Sequence, residues 1–149
     1  MLNVLTHLAR IVALSTGLLL SGLVAAQNTA PADSPQVALK GHDPVAYFTE
    51  KRPVKGANER SFDFDGSRYL FSTDKNRATF VADPDRYAPQ FSALCTTGLA
   101  FGKKLEADPN QWAIVDGKLY LFVSARAAAK ANSDSAILSA AHANWSRLR

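Results

Sequence analysis

FDFDGSRYLFSTDKNRATFVADPDRY, residues 62–87, decides the fold. Two alternating segments meet at Asp65-Gly66, a dipeptide that accepts the positive φ angles of a tight hairpin turn. Ser72, Thr73 and Asp74 follow the second segment, and each has a side-chain oxygen able to take a free N–H at a helix start. Ala78, Phe80 and Val81 then give a helix its apolar face, and Asp83-Pro84 ends it ahead of Tyr87. The stretch predicts a hairpin, a helix and a proline-marked turn.

The same turn chemistry returns downstream. Asp116-Gly117 separates a segment beginning at Trp112 from Leu119-Tyr120-Leu121-Phe122-Val123, so a second hairpin is expected. Laid side by side, Asp65-Gly66, Tyr69-Leu70-Phe71 and Ser72 answer to Asp116-Gly117, Tyr120-Leu121-Phe122 and Ser124, a likeness of two hairpins that common turn chemistry also explains. Neither two-stranded ribbon is stable alone, so the expectation is an α+β fold whose four strands complete one small antiparallel sheet. Ser124 is placed to cap a helix running to about Lys130. Asp134 or Ser135 then caps a last, amphipathic helix with Ile137, Leu138, Ala141, Trp145 and Leu148 on one face, Trp145 docking it onto the sheet.

Upstream, Gly41-His42-Asp43-Pro44 joins a capping aspartate to a proline suited to the first helical position. One or two helical turns over residues 44–48 are expected to bury Val45, Tyr47 and Phe48. Residues 49–59 read as an irregular charged connection. Residues 89–104, PQFSALCTTGLAFGKK, read as a loop with a short helical turn, its backbone passing close to something at Gly98 and Gly102.

The N-terminal residues read as an address. Arg10, an apolar run over residues 11–24 and Val24-Ala25-Ala26 have the form of a secretory signal cleaved after Ala26, the run being too short for a good membrane span. The expected organisation is a signal at 1–26, a flexible polar linker at 27–36 and one domain at 37–149, in a periplasmic or secreted protein with no stable membrane span after cleavage. Seventeen Lys and Arg against 13 Asp and Glu leave a modest net charge of +4. The basic residues are dispersed among acids, which argues against a nucleic-acid partner. Cys95 is the single cysteine, so no disulfide can close within one chain; a bridge to a second chain, and hence a dimer, stays open.

The octet Gly41-His42-Asp43-Pro44-Val45-Ala46-Tyr47-Phe48, the stretch 69–80 and Asp83-Pro84-Asp85-Arg86-Tyr87 together resemble the YHS domain family. Over residues 40–148 the chain is similar to small exported bacterial members that continue through a Cys-containing segment into a second hairpin and a Trp-bearing helix. The resemblance implies a metal-binding type of module. Relatives attached to heavy-metal transport ATPases carry cysteines where this chain has Ala46, Ser72 and Asn76, none of which supplies a thiolate.

The ligands that remain after the signal are Cys95, His42 and His142, too few for a four-coordinate zinc site of Cys and His within one chain. A copper or zinc ion held by Cys95 and His42, with Asp43 added, is the metal expectation. The cofactor is otherwise unassigned. Against it stand a His42 that merely helps the Asp43 turn and a Cys95 that is a buried inert thiol. The first functional expectation is a non-catalytic binding module taking a metal or small ligand at the Cys95 loop. The second is an interaction domain whose sheet or last helix meets another envelope protein. The third is a thiol-dependent redox protein or enzyme, with Cys95 as nucleophile, His42 as base and Asp43 as orienter; the sequence has no motif of the familiar hydrolase, nucleotide-binding or zinc-protease kinds.

Overall fold

The computed structural model describes residues 35–148; the expected signal and nearly all of the expected linker lie outside them. The order of elements is β1 (Gln36–Val37), α1 (Ala46–Thr49), β2 (Ala57–Phe64), β3 (Ser67–Phe71), α2 (Asp74–Ala82), α3 (Pro84–Tyr87), α4 (Thr96–Ala100), β4 (Asp108–Val115), β5 (Lys118–Phe122), α5 (Ala125–Ser133) and α6 (Ala136–Leu148). The class is α+β. Both Asp-Gly turns form, with Asp65, Gly66, Asp116 and Gly117 all at positive φ. Thr73 caps α2 by accepting from the Asn76 N–H, and Ser124 caps α5 by accepting from Ala127.

The two hairpins do not share a sheet. β2 and β3 join β1 in one sheet of order β1-β3-β2, with β1 parallel to β3, and β4 pairs with β5 in another. The reason lies at the edges. The free edge of β3 is taken by Gln36 and Val37, and β5 receives parallel bridges from Pro89 and Cys95 at Leu119 and Leu121. The outer strands β2 and β4 are each broken by a register shift, between Ala57 and Ser61 and between Asp108 and Trp112, which twists an edge away from further pairing.

Three apolar clusters hold the structure. Val45, Tyr69, Phe71 and Phe80 fill the first sheet's face, with the rings of Phe62, Phe64, Tyr69 and Phe71 all turned on Phe80. Tyr120, Phe122, Leu99, Ala131, Ile137 and Ala141 fill the second's. Between them Leu39 and Tyr47 meet Ala107, Leu119 and Leu121, so this third cluster is the seam. Tyr47 lies edge-on to Trp112 and its hydroxyl donates to Pro109 O at 3.0 Å. The last helix docks on α4 as well as on the cluster that covers the second sheet. Asn144 donates to Leu99 O and Ala100 O at the end of α4, Trp145 packs on that cluster edge-on to Phe91, and His142 reaches the sheet through the Tyr120 hydroxyl. Among the described residues no helix is long and apolar enough to cross a membrane.

Among the described glycines the most tightly enclosed is Gly56, where a Cβ would lie 2.3 Å from Leu70 C and 2.5 Å from Leu70 O. Those are backbone atoms of β3 and cannot swing aside. Gly56→Ala is expected to lower stability by about 3 kcal/mol, the upper end of overpacking costs, measured by urea denaturation. Gly66→Ala meets no atom within 4 Å and is expected to lose only the roughly 1 kcal/mol of a strained φ.

Candidate functional site

Asp43 is fully buried and its carboxylate is a hub. Oδ1 accepts from the Val45 N–H at 2.9 Å, fixing the entry to α1. Oδ2 accepts from the Ser72 N–H at 2.8 Å, the Ser72 hydroxyl at 2.7 Å and the Asn76 side-chain amide at 2.7 Å. Four donors answer the desolvation of one carboxylate, the condition on which a buried charge is tolerated. Ser72 and Asn76 are two of the three positions where the resemblance implied missing thiolates. Here they do converge, and what they converge on is an acid.

His42 points elsewhere. Its ring Nδ1 lies 2.9 Å from Leu39 O. A carbonyl can only accept, so the proton of the neutral ring sits on Nδ1. Burial, aided by the Lys55 charge, lowers the imidazole below its ordinary range against the opposing pull of the Leu39 bond and Asp108. Cys95 is sealed in the second cluster, its Sγ accepting from the Gly98 N–H at 3.3 Å and the Val123 N–H at 3.2 Å.

The metal expectation therefore lacks an assembled site. Among the described residues no group of three or more His, Cys, Asp and Glu side chains could hold an ion, so Cys95, His42 and Asp43 do not form one. The acceptor atoms of Asp43 are engaged by protein donors and the thiol is out of solvent, so the donor set does not fit copper or zinc as a first coordination sphere. The relay of thiol, imidazole and carboxylate is not made either: the partners of Asp43 are Val45, Ser72 and Asn76, and that of the His42 ring is Leu39.

A second feature escaped the sequence reading. Leu39, Lys40 and Gly41 take φ of 53°, 50° and 80°, and Phe91, Ser92 and Ala93 take 60°, 52° and 63°. Each triplet is one turn of left-handed helix, which costs roughly 1–2 kcal/mol for every residue that carries a Cβ. The two turns face one cleft of about 250 Å³. Leu39, Lys40, Ser92 and Ala93 line it, with Ala107 and Leu121 at its base. Lys40 and Glu106 form an exposed ion pair across its rim at 3.7 Å. Strained backbone gathered at a concave surface is a recurrent mark of a binding site.

An antiparallel hairpin, a capped helix and an aspartate stapling them to the preceding segment define a small α+β module. The family model of the YHS domain matches residues 45–91, and the chain carries a YHS domain over that stretch. No curated protein and no solved structure matches the chain. The match stops at Phe91, leaving the second hairpin and its helices outside it.

Asp43→Ala is expected to cost about 3 kcal/mol, because it strands buried donors around the lost carboxylate; chemical denaturation measures it. For His42 the folded pKa lies below the unfolded value of 6.5, so protons bind the unfolded chain more readily. The stability it contributes is complete above that value and is lost as pH falls through the folded pKa. Melting temperature is expected to decline as pH drops below about 6.5 and to decline less in His42→Gln.

Proposed function

We propose that the protein is an exported, non-catalytic YHS-type module that binds a small ligand in the cleft between the two left-handed turns. The observation that carries this reading is the strain: Leu39, Lys40, Ser92 and Ala93 hold costly backbone conformations and line the same concavity. The cleft includes Ser92, Ala93 and Leu94, the turn just before Cys95, so it keeps the expected loop while moving the site off the thiol. At about 250 Å³ it lies just below the range of drug-sized pockets. Its apolar base and its Lys40–Glu106 rim suit a compact ligand with an apolar body and a polar or charged end. The partner in this reading is a small molecule rather than a nucleic acid or an envelope protein.

The test is amide chemical-shift mapping of the mature protein against a fragment set of small carboxylates, amines and amides, with zinc and copper(I) as separate arms. Shifts at Leu39, Lys40, Ser92 and Ala93 that vanish in Ser67→Trp, which fills the cleft from β3, support the reading. One-equivalent metal uptake lost in Cys95→Ser, or shifts that avoid the cleft, overturn it. A mature N-terminus at Gln27, read by mass spectrometry of the periplasmic fraction, is the expected sign of export.

A further inference from the structure

We infer that the described chain is one YHS-type unit built twice, and that Cys95 is the second unit's Asp43: a positioning group tying the start of the unit to the end of its second strand. The hairpins carry the first part of the argument. Adding 51 to each number turns the pairs Ala57↔Phe71, Ser61↔Leu70, Phe62↔Tyr69, Asp63↔Arg68 and Phe64↔Ser67 into Asp108↔Phe122, Trp112↔Leu121, Ala113↔Tyr120, Ile114↔Leu119 and Val115↔Lys118, which are the pairs of the second hairpin. The register shift falls at the same place in both. Asp-Gly turns are common, but a turn does not dictate where a strand breaks four to eight residues earlier.

The match continues on both sides of the hairpins. Thr73 capping Asn76 becomes Ser124 capping Ala127, and Asp83, which accepts from Arg86, becomes Asp134, which accepts from Ala136. Upstream the offset is 52, one residue having been lost around the short helix. The left-handed turn of Leu39, Lys40 and Gly41 becomes that of Phe91, Ser92 and Ala93. The antiparallel bridge His42↔Lys55 becomes Leu94↔Glu106, and the parallel pair Val37↔Arg68 becomes Pro89↔Leu119. The bond from the Asp43 N–H to Val54 O becomes that from the Cys95 N–H to Leu105 O, both at 2.8 Å. A conformation as rare as three left-handed residues in a row, recurring at the equivalent position, is not a product of shared turn chemistry.

Cys95 then takes its meaning from Asp43. The carboxylate of Asp43 accepts from the N–H of Ser72, the residue after β3; the thiol of Cys95 accepts from the N–H of Val123, the residue after β5. Each also accepts from an N–H a few residues ahead, Val45 and Gly98. The two extra donors to Asp43 are the side chains of Ser72 and Asn76, and their counterparts are Val123 and Ala127, which have none to give. A sulfur with two backbone donors replaces a carboxylate with four donors, a coherent exchange of three residues together. Thr96 follows Cys95 as Pro44 follows Asp43, and its buried hydroxyl has no partner among the described residues.

The test is a graft. Cys95→Asp alone buries a carboxylate with too few donors and is expected to lower the melting temperature by 10 °C or roughly that order. Adding Val123→Ser and Ala127→Asn rebuilds the Asp43 network and is expected to recover most of the loss. In ¹⁵N spectra of Cys95→Ser, the Gly98 and Val123 amides are expected to shift more than other amides of the second unit. A triple variant no more stable than Cys95→Asp, or Gly98 and Val123 amides that stay in place, overturns the assignment. Because the serine variant changes one atom, the spectral arm reads out even where the graft does not fold. Neither arm depends on a ligand in the cleft, so its failure is distinct from failure of the binding reading.

Discussion

The first half of the molecule depends on one buried carboxylate. Asp43 arrives just ahead of α1, while Ser72 and Asn76 come from the end of β3 and from α2, 29 and 33 residues later in the chain. Without that junction, the segment carrying Val45 and Tyr47 has little to fix it against the hairpin except apolar contact, which is not directional. The carboxylate makes the contact specific. It sets where the chain enters α1, and through α1 it sets where Tyr47 meets Trp112 and Pro109 across the seam.

The two units then diverge in how they fill their cores. Phe80 is surrounded by four rings in the first, whereas its counterpart 51 residues on is Ala131. Such a change leaves room for a large side chain, and an unfilled gap of that size costs several kcal/mol. The chain fills it with Ile137 and Ala141 of α6, which explains why the second unit ends in a 13-residue helix where the first has a four-residue one. Gly56, pressed against β3, answers to Ala107, so the close approach in the first unit is relaxed in the second.

Much of this was legible in the residues. Asp65-Gly66 and Asp116-Gly117 announce their hairpins because few dipeptides take two positive φ angles without penalty, and Thr73 and Ser124 announce helix starts for equally local reasons, whereas Asp83, read as the end of one helix, also caps the next. What stayed hidden is non-local or improbable. Nothing in the composition of Leu39-Lys40 or Phe91-Ser92-Ala93 favours left-handed backbone, so the surrounding structure imposes it. The partners of Asp43 lie too far along the chain for any period to reveal, and β1 is two residues long. Cys95 reads in sequence as a candidate ligand because cysteine is chemically versatile; only its neighbours, Gly98 and Val123, show that its lone pairs are already engaged.

The seam between the units has a property that follows from a single phenol. Tyr47 is fully buried and donates to Pro109 O. Burial, with the nearby Asp108 charge, pushes its ionisation well above the ordinary tyrosine range. A donor that keeps its proton to strongly alkaline conditions is a joint indifferent to acidity. His42, a few residues away, responds to mild acid, yet this bond between the two units does not. The seam of the molecule is thereby insulated from the acidity of the medium, while His42 is left to feel it.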